Sequence, residues 1–225
     1  MRFKKTDLYI ISGNIIYLEF PCQYLMTATL LRMQERYESP FYKNKAFGLE
    51  EYMDYYAKMY GEFDYYTTYQ GFNFPYKVLK AFFCGKFDPL TKKEKIIIDI
   101  LKKHDTMKYV IGTYLDSTSK RDDFTHEYAH ALYYTNKEYK KLINETIQEN
   151  RTDLEPLFKY LRERMHYHKN TIIDETIAYI LENSIRLQRT STKQKVLNQM
   201  HIKFREIFNR FKNTKKEKVE SFYLA

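Results

Sequence analysis

The sequence predicts an α+β fold that is predominantly helical, with a small β-sheet and a helical C-terminal half. Apolar runs rich in β-branched and aromatic residues are concentrated in two short regions, residues 8–20 and 107–115. Most of the remaining chain has apolar residues at helical spacing, and only 6 glycines and 5 prolines interrupt its 225 residues. This length is sufficient for a sizeable core within one domain.

Three strands are predicted from those regions. Residues 8–11 and 15–20 flank the turn sequence Ser12-Gly13-Asn14, which indicates a β-hairpin. Residues 107–115 are the best candidate for a central strand. The aromatic segment 64–75 has no clear period, and we expect it to pack as core or as a short strand pair rather than to line a substrate groove.

Amphipathic periodicity predicts the helices. In order, they cover residues 21–37, 48–60, 76–85, 92–103, 122–134, 136–149, 154–164, 171–186 and 195–211. Thr91 precedes one of them with Glu94 three residues later, and this pattern predicts a capping box.

Residues 122–134 contain a short metal-binding pattern within D-D-F-T-H-E-Y-A-H-A-L-Y-Y. His126, Glu127 and His130 stand in the order H-E-x-x-H. Four residues are close to one helical turn, so both imidazoles face one side of the helix and can bind a single metal ion. Glu127 can then act as general base on a zinc-bound water. The competing interpretation is two histidines on an ordinary core helix.

At these residues the sequence resembles the zincin superfamily of zinc metallopeptidases. The metzincin pattern would place glycine at Tyr133 and histidine at Asn136, so that subgroup is excluded. The gluzincin pattern takes a glutamate from a separate downstream helix, and residues 174–179, D-E-T-I-A-Y, fit it loosely. The resemblance covers the motif helix and this later helix.

The resemblance implies a Zn²⁺ cofactor held by His126, His130 and Glu175, and a peptide or protein substrate cleaved with Glu127 as general base. It also implies a small sheet packed on a zincin-like active-site helix. A strand ahead of that helix, here residues 107–115, can pair along its edge with an extended substrate backbone.

The third ligand has alternatives. His166, His168 and Glu138 compete for that position, and Glu175 would face solvent if its helix simply presented a polar side. Together with Tyr167, the two histidines of residues 165–170 are also the candidates for stabilising the oxyanion of the transition state.

One departure from the family pattern concerns the orientation of the ligands. Ala178 and Tyr179 replace the hydroxyl residue and the aspartate that supports the first zinc histidine in the thermolysin-like pattern. Because a ligating imidazole needs an acceptor for its second nitrogen, we expect Asp174 or a backbone carbonyl to hold His126.

The formal charge of +9 is concentrated near the C-terminus. Residues 186–218 hold eleven Lys/Arg against two acids, a net +9, and the remaining 27 basic and 27 acidic residues cancel. This pattern supports an alternative function: a non-enzymatic binding or regulatory protein whose basic C-terminal helix contacts nucleic acid, an anionic surface or an acidic partner.

The remaining features concern organisation and location. Cys22 and Cys84 are too few for a disulfide framework, which favours a reducing compartment. No signal peptide or transmembrane segment is recognisable, so we expect a cytoplasmic protein. We predict one domain over residues 1–225, with a sheet and helix part at 1–120, metal-site helices at 121–185 and the basic helix at 186–225.

Overall fold

The computed structural model describes residues 4–213 and 215–224, leaving aside the side chains of residues 120, 121, 185 and 186. It is 58% helical and contains a five-stranded mixed β-sheet. The prediction of a predominantly helical α+β fold is therefore confirmed. The chain divides into two compact units, one drawn from Met1–Lys120 and Lys215–Ala225 and the other from Arg121–Thr214. The prediction of one domain over residues 1–225 stays a prediction.

The strands found in the described residues are β1 (Thr6–Ile11), β2 (Ile15–Phe20), β3 (Phe72–Pro75), β4 (Tyr109–Tyr114) and β5 (Lys216–Phe222). The α-helices are α1 (Gln23–Glu38), α2 (Leu49–Tyr60), α3 (Tyr65–Thr68), α4 (Lys80–Phe83), α5 (Lys92–Leu101), α6 (Lys120–Thr135), α7 (Lys137–Glu149), α8 (Arg151–Glu163), α9 (Ile172–Glu182) and α10 (Gln194–Phe211). Among these described helices, none combines the length and apolar character that crossing a bilayer requires.

The sheet of the first unit has the strand order β3-β4-β2-β1-β5. β2 and β4 run parallel, and the other neighbouring pairs are antiparallel. The predicted hairpin is confirmed between β1 and β2. Ser12 and Gly13 adopt positive φ angles of 54° and 71°, which let the short turn follow the twist of the two strands.

β4 is an interior strand of this sheet. It pairs with β2 on one side and with β3 on the other. The expectation that an edge of this strand receives a substrate backbone is therefore wrong for residues 109–112, because neighbouring strands occupy both sides there. Helix α1 packs closely over β4: a Cβ atom at Gly112 would lie 2.8 Å from Leu30 Cδ1, so only glycine permits this approach without a shift.

A buried ion pair joins α1 to α5. Arg32 donates from Nε to Glu94 Oε1 at 2.7 Å and from Nη2 to Glu94 Oε2 at 2.6 Å, and both side chains are 3% exposed. Arg32 also donates to the carbonyl oxygens of Phe47 and Phe87. Glu94 and Thr91 exchange the two hydrogen bonds of the predicted capping box, which is confirmed. Both buried charges therefore have several partners, as their desolvation requires.

The second unit is built from α6 to α10. Helix α9 packs against α7, α8 and α10. Its apolar residues Ile172, Ile177, Ile180 and Leu181 are buried. Helix α10 buries a stripe of four residues, Leu197, Met200, Phe204 and Phe208. Its basic residues Lys195, Lys203 and Arg210 are exposed, so α10 is an amphipathic helix with one packed face and a basic outer side.

Several elements differ from those predicted, including the helix predicted at residues 76–85, which is a 3-10 helix over Tyr76–Leu79 followed by α4. The segment 64–75 forms α3 and β3, with Phe72 and Phe74 buried in the first unit. Helix α9 ends at Glu182 rather than at residue 186, because Asn183 adopts the left-handed conformation that terminates helices. The sequence predicts only a helix in the C-terminal segment, yet this segment also supplies β5, which pairs with β1.

Candidate metal centre

Helix α6 presents the H-E-x-x-H residues from one turn of helix. The ring centroids of His126 and His130 lie 5.0 Å apart, as their spacing of four residues predicts. His130 is 2% exposed and Glu127 is 6% exposed. Asp122 and Asp123 occupy the first turn, where negative charge interacts favourably with the helix dipole. The motif is thus held on a largely buried face of a regular helix.

Helix α9 contributes the third residue of the group. One potential ligand atom from each of His126, His130 and Glu175 lies within 4.8 Å of the other two. Glu175 is 4% exposed, so the interpretation in which it faces solvent is wrong. The structure brings together the three residues that the resemblance implies, and their role as metal ligands stays a prediction.

The rival ligands lie elsewhere on the surface. His166, His168 and Glu138 are all exposed. His168 Nδ1 accepts a hydrogen bond from the backbone N–H of Asn170 at 3.3 Å. Among the described residues, the cluster that could hold a metal ion consists of the two motif histidines and Glu175 alone.

Two further carboxylates of α9 contact the imidazoles. His126 Nδ1 donates to Glu182 Oε2 at 2.8 Å. His130 Nδ1 lies 2.9 Å from Asp174 Oδ1, a distance that allows an ion pair, although this oxygen does not have hydrogen-bond geometry with a donor among the described residues. The expectation that Asp174 or a backbone carbonyl holds His126 is therefore wrong, since Asp174 contacts the other histidine. With Nδ1 occupied in both rings, Nε2 remains for a metal, and His130 Nε2 is 3.9 Å from Glu175 Oε1.

The electrostatics of the site favour a bound cation. Burial alone would lower the pKa of His130, but the charges of Asp174 and Glu175 outweigh it and raise that pKa well above 6.5. Burial also opposes the charged form of His126, and the hydrogen bond with Glu182 reverses the effect, so its pKa is raised. Burial raises the pKa of Glu175 although both imidazoles act against the rise. The carboxylates therefore favour positive charge at the two imidazoles, which protons or a bound divalent cation can supply.

One oxygen atom of Glu175 is buried without a hydrogen-bond donor among the described residues. Within residues 4–213 and 215–224, no donor forms a hydrogen bond with Glu175 Oε2, although this oxygen is buried. A buried carboxylate oxygen without a partner is costly, whereas a metal ion would satisfy it. Two imidazoles and one carboxylate also match the donor set of hydrolytic zinc sites, so the residues present fit the ion.

One tyrosine lies against the first histidine and contacts a second tyrosine. The Tyr179 ring meets the His126 ring edge-on, with centroids 5.1 Å apart. The hydroxyl of Tyr179 is 3.0 Å from that of Tyr167. Of the three predicted stabilisers of a transition state, Tyr167 is therefore connected to the site, whereas His166 and His168 are exposed.

Sequence reasoning missed the roles of two residues of the site. The family pattern assigns no role to Glu182 and identifies Tyr179 only as the residue that replaces an aspartate. Their spacing of seven and four residues from Glu175 places all three side chains on one side of α9, and that signal was available in the sequence. What the sequence did not show is that this side faces α6 rather than solvent.

Comparison with known proteins adds no family assignment: no protein-family model, no curated protein and no solved structure matches the chain. The site must therefore be interpreted from its own geometry.

Proposed function

We propose that this chain is a zinc-dependent metallopeptidase of the gluzincin type. The observation that carries the proposal is the convergence of His126, His130 and Glu175 beside the buried Glu127. The H-E-x-x-H pattern with a downstream glutamate is used for hydrolysis of peptide bonds, which supports a peptide or protein substrate. The hydrogen bond from His126 to Glu182 and the proximity of Asp174 to His130 support a functional site over a chance pair of histidines.

In the proposed reaction, the metal ion and Glu127 have separate roles. Zinc would supply a Lewis acid that polarises the scissile carbonyl and lowers the pKa of water. Glu127 takes a proton from the attacking water and delivers it to the leaving amine. The water oxygen bonds to the carbonyl carbon, the C–N bond breaks, and the products are a carboxylate and an amine.

The tyrosine pair supports stabilisation of the oxyanion. The hydroxyl groups of Tyr167 and Tyr179 lie 3.0 Å apart, and Tyr179 contacts the ring of His126. Tyrosine hydroxyls are among the donors that stabilise an oxygen that becomes negative in a transition state. Tyr167, which is only partly buried, is the better placed of the two to meet a substrate.

The identity of the metal is part of the proposal. Two imidazoles and one carboxylate also bind iron, manganese and cobalt. Zinc is favoured because Glu127 adjoins the first ligand, as a general base does in zinc hydrolases. Elemental analysis for all four metals would decide between them.

The first test compares wild type with Glu127→Gln, using a mixture of fluorogenic peptides. Since general-base catalysis contributes about 10²- to 10⁴-fold, we expect kcat to fall by that order while bound zinc is retained. Glu138→Gln, which neutralises an exposed acid outside the cluster, should leave both quantities unchanged. An active Glu127→Gln variant, or a wild type that holds zinc but cleaves no peptide, would overturn the peptidase assignment.

A further inference from the structure

The last turn of α9 places a carboxylate where it is intrinsically unfavourable. Glu182 is the final residue of the helix, and Asn183 follows it with a φ of 56°. The C-terminal end of a helix carries partial negative charge and several carbonyl groups without an intrahelical donor. A negative side chain at this end therefore needs compensating groups nearby.

Helix α10 supplies these groups to the turn that carries Glu182. Arg205 Nη2 donates to the carbonyl oxygen of Leu181 at 3.1 Å. His201 Nδ1 lies 2.7 Å from the carbonyl oxygen of Ile180 and donates to it. These carbonyls belong to the two residues immediately before Glu182. The end of α9 is thereby tied to α10 at the point from which Glu182 reaches His126.

Glu182 also takes the place of the aspartate that accepts a hydrogen bond from the first zinc histidine in the thermolysin-like pattern. Four residues after Glu175 the chain has Tyr179, which contacts the His126 ring by its edge. Seven residues after Glu175, on the same side of the helix, Glu182 accepts the hydrogen bond from His126 Nδ1. The acceptor for His126 therefore lies almost one turn beyond the position of Tyr179, at the end of α9 that contacts α10.

We propose that Glu182 is a positioning residue of the metal centre, and that Arg205 and His201 hold it in place from the basic C-terminal helix. The inference rests on the metal site of the proposed function but not on peptidase activity. It assigns two of the polar residues of α10 a role inside the protein, whereas the other basic residues of that helix stay exposed.

The test measures the affinity for zinc by competition with a chromophoric chelator, using the full chain. Glu182→Ala should weaken zinc binding by about 10- to 100-fold, as loss of an orienting carboxylate does. Glu182→Gln keeps an acceptor oxygen and should lose less. Arg205→Met keeps the aliphatic stem and removes the donors, and we expect a loss of about three- to tenfold. Lys203→Met removes an exposed charge from the same helix and should leave the affinity unchanged.

A double variant separates positioning from a general structural effect. If Arg205 acts through Glu182, Arg205→Met should add no further loss of zinc affinity in the Glu182→Ala background. Additive losses would overturn the link to α10, and unchanged affinity in Glu182→Ala and Glu182→Gln would overturn the positioning role. If the circular dichroism of Glu182→Ala shows a loss of helix, Glu182→Gln replaces it in the comparison of single and double variants. A wild-type chain that binds no zinc would instead overturn the proposed function itself.

Discussion

Two buried glutamates illustrate how the surroundings of a single residue decide its role. Glu175 faces two imidazoles in the second unit. Glu35 lies in the first unit, is 8% exposed, and accepts a hydrogen bond from the Tyr65 hydroxyl at 2.7 Å. Burial raises the pKa of Glu35, although the hydrogen bond from Tyr65 opposes the rise. The ionised form of Glu35 therefore costs stability, whereas a cation can compensate the charge of Glu175.

The raised pKa of Glu35 predicts how stability changes with pH. The folded state binds this proton more tightly than the unfolded state, so the stabilisation is fully present below the unfolded pKa of about 4.3 and is lost as pH rises through the folded pKa. Glu35→Gln cannot ionise. Relative to wild type, its free energy of unfolding should therefore rise as the pH increases from 4 to 8.

Urea denaturation at a series of pH values measures this difference. Glu62→Gln changes an exposed carboxylate of the same unit and should shift the free energy of unfolding by less than about 0.5 kcal/mol. A Glu35→Gln variant whose stability relative to wild type stays constant across the pH range would contradict the assignment.

At the residue scale, the candidate metal ligands are more predictable from sequence than the residues that accept hydrogen bonds from them. The H-E-x-x-H spacing and an acid within an apolar helix indicate His126, His130 and Glu175, because helical periodicity determines which side chains share a face. The acceptor for His126 was not predictable from the family pattern. Whether Asp174 or Glu182 reaches that ring depends on how α9 lies against α6, which local sequence does not encode.

At the scale of elements, the contact between α1 and β4 depends on one glycine. Because a Cβ at Gly112 would lie 2.8 Å from Leu30, Gly112→Ala should displace α1 or its side chains and lower the free energy of unfolding by about 1–3 kcal/mol. Gly48→Ala is the control, since its Cβ would meet only Glu51 Cβ at 3.9 Å. Thermal unfolding measures the effect, and equal decreases in the melting temperature of both variants would contradict the close packing of α1 on Gly112.

The ion pair between α1 and α5 makes a second prediction at this scale. Arg32→Met leaves Glu94 buried without its cation and should destabilise the protein by about 3–5 kcal/mol. Adding Glu94→Gln removes the stranded charge and keeps an acceptor for the cap at Thr91, so the double variant should recover part of the loss. Denaturant unfolding of the two single variants and the double variant measures the coupling between Arg32 and Glu94. Strictly additive losses in the free energy of unfolding would contradict this coupling.

Elements with strong local signals were predicted better than those formed by distant pairing. The β1–β2 hairpin and the capping box at Thr91 follow from residues close in sequence. β5 is largely charged and exposed, and it becomes a strand by pairing with β1 at the other end of the chain. β3 lies in an aromatic stretch without period and is likewise defined by its partner, β4. Pairing over such separations leaves little local signal.

For the whole molecule, the candidate centre belongs to one compact unit. Its histidines come from α6 and its carboxylates from α6 and α9, all within Arg121–Thr214. Of the basic residues that contribute to the charge of +9, Arg205 in α10 has an identified contact, because it donates to the end of α9. Contact with nucleic acid through residues 186–218, like a cytoplasmic location, stays a prediction.

The zinc content of the purified chain tests the central claim most directly. Elemental analysis would compare wild type with His126→Ala and Glu175→Ala, using Glu138→Ala as an exposed control outside the cluster. We predict about one zinc per chain in wild type and in the control, and a marked fall in both ligand variants. A wild-type chain that takes up no zinc when it is supplied, or a Glu175→Ala variant that retains the full amount, would contradict the account.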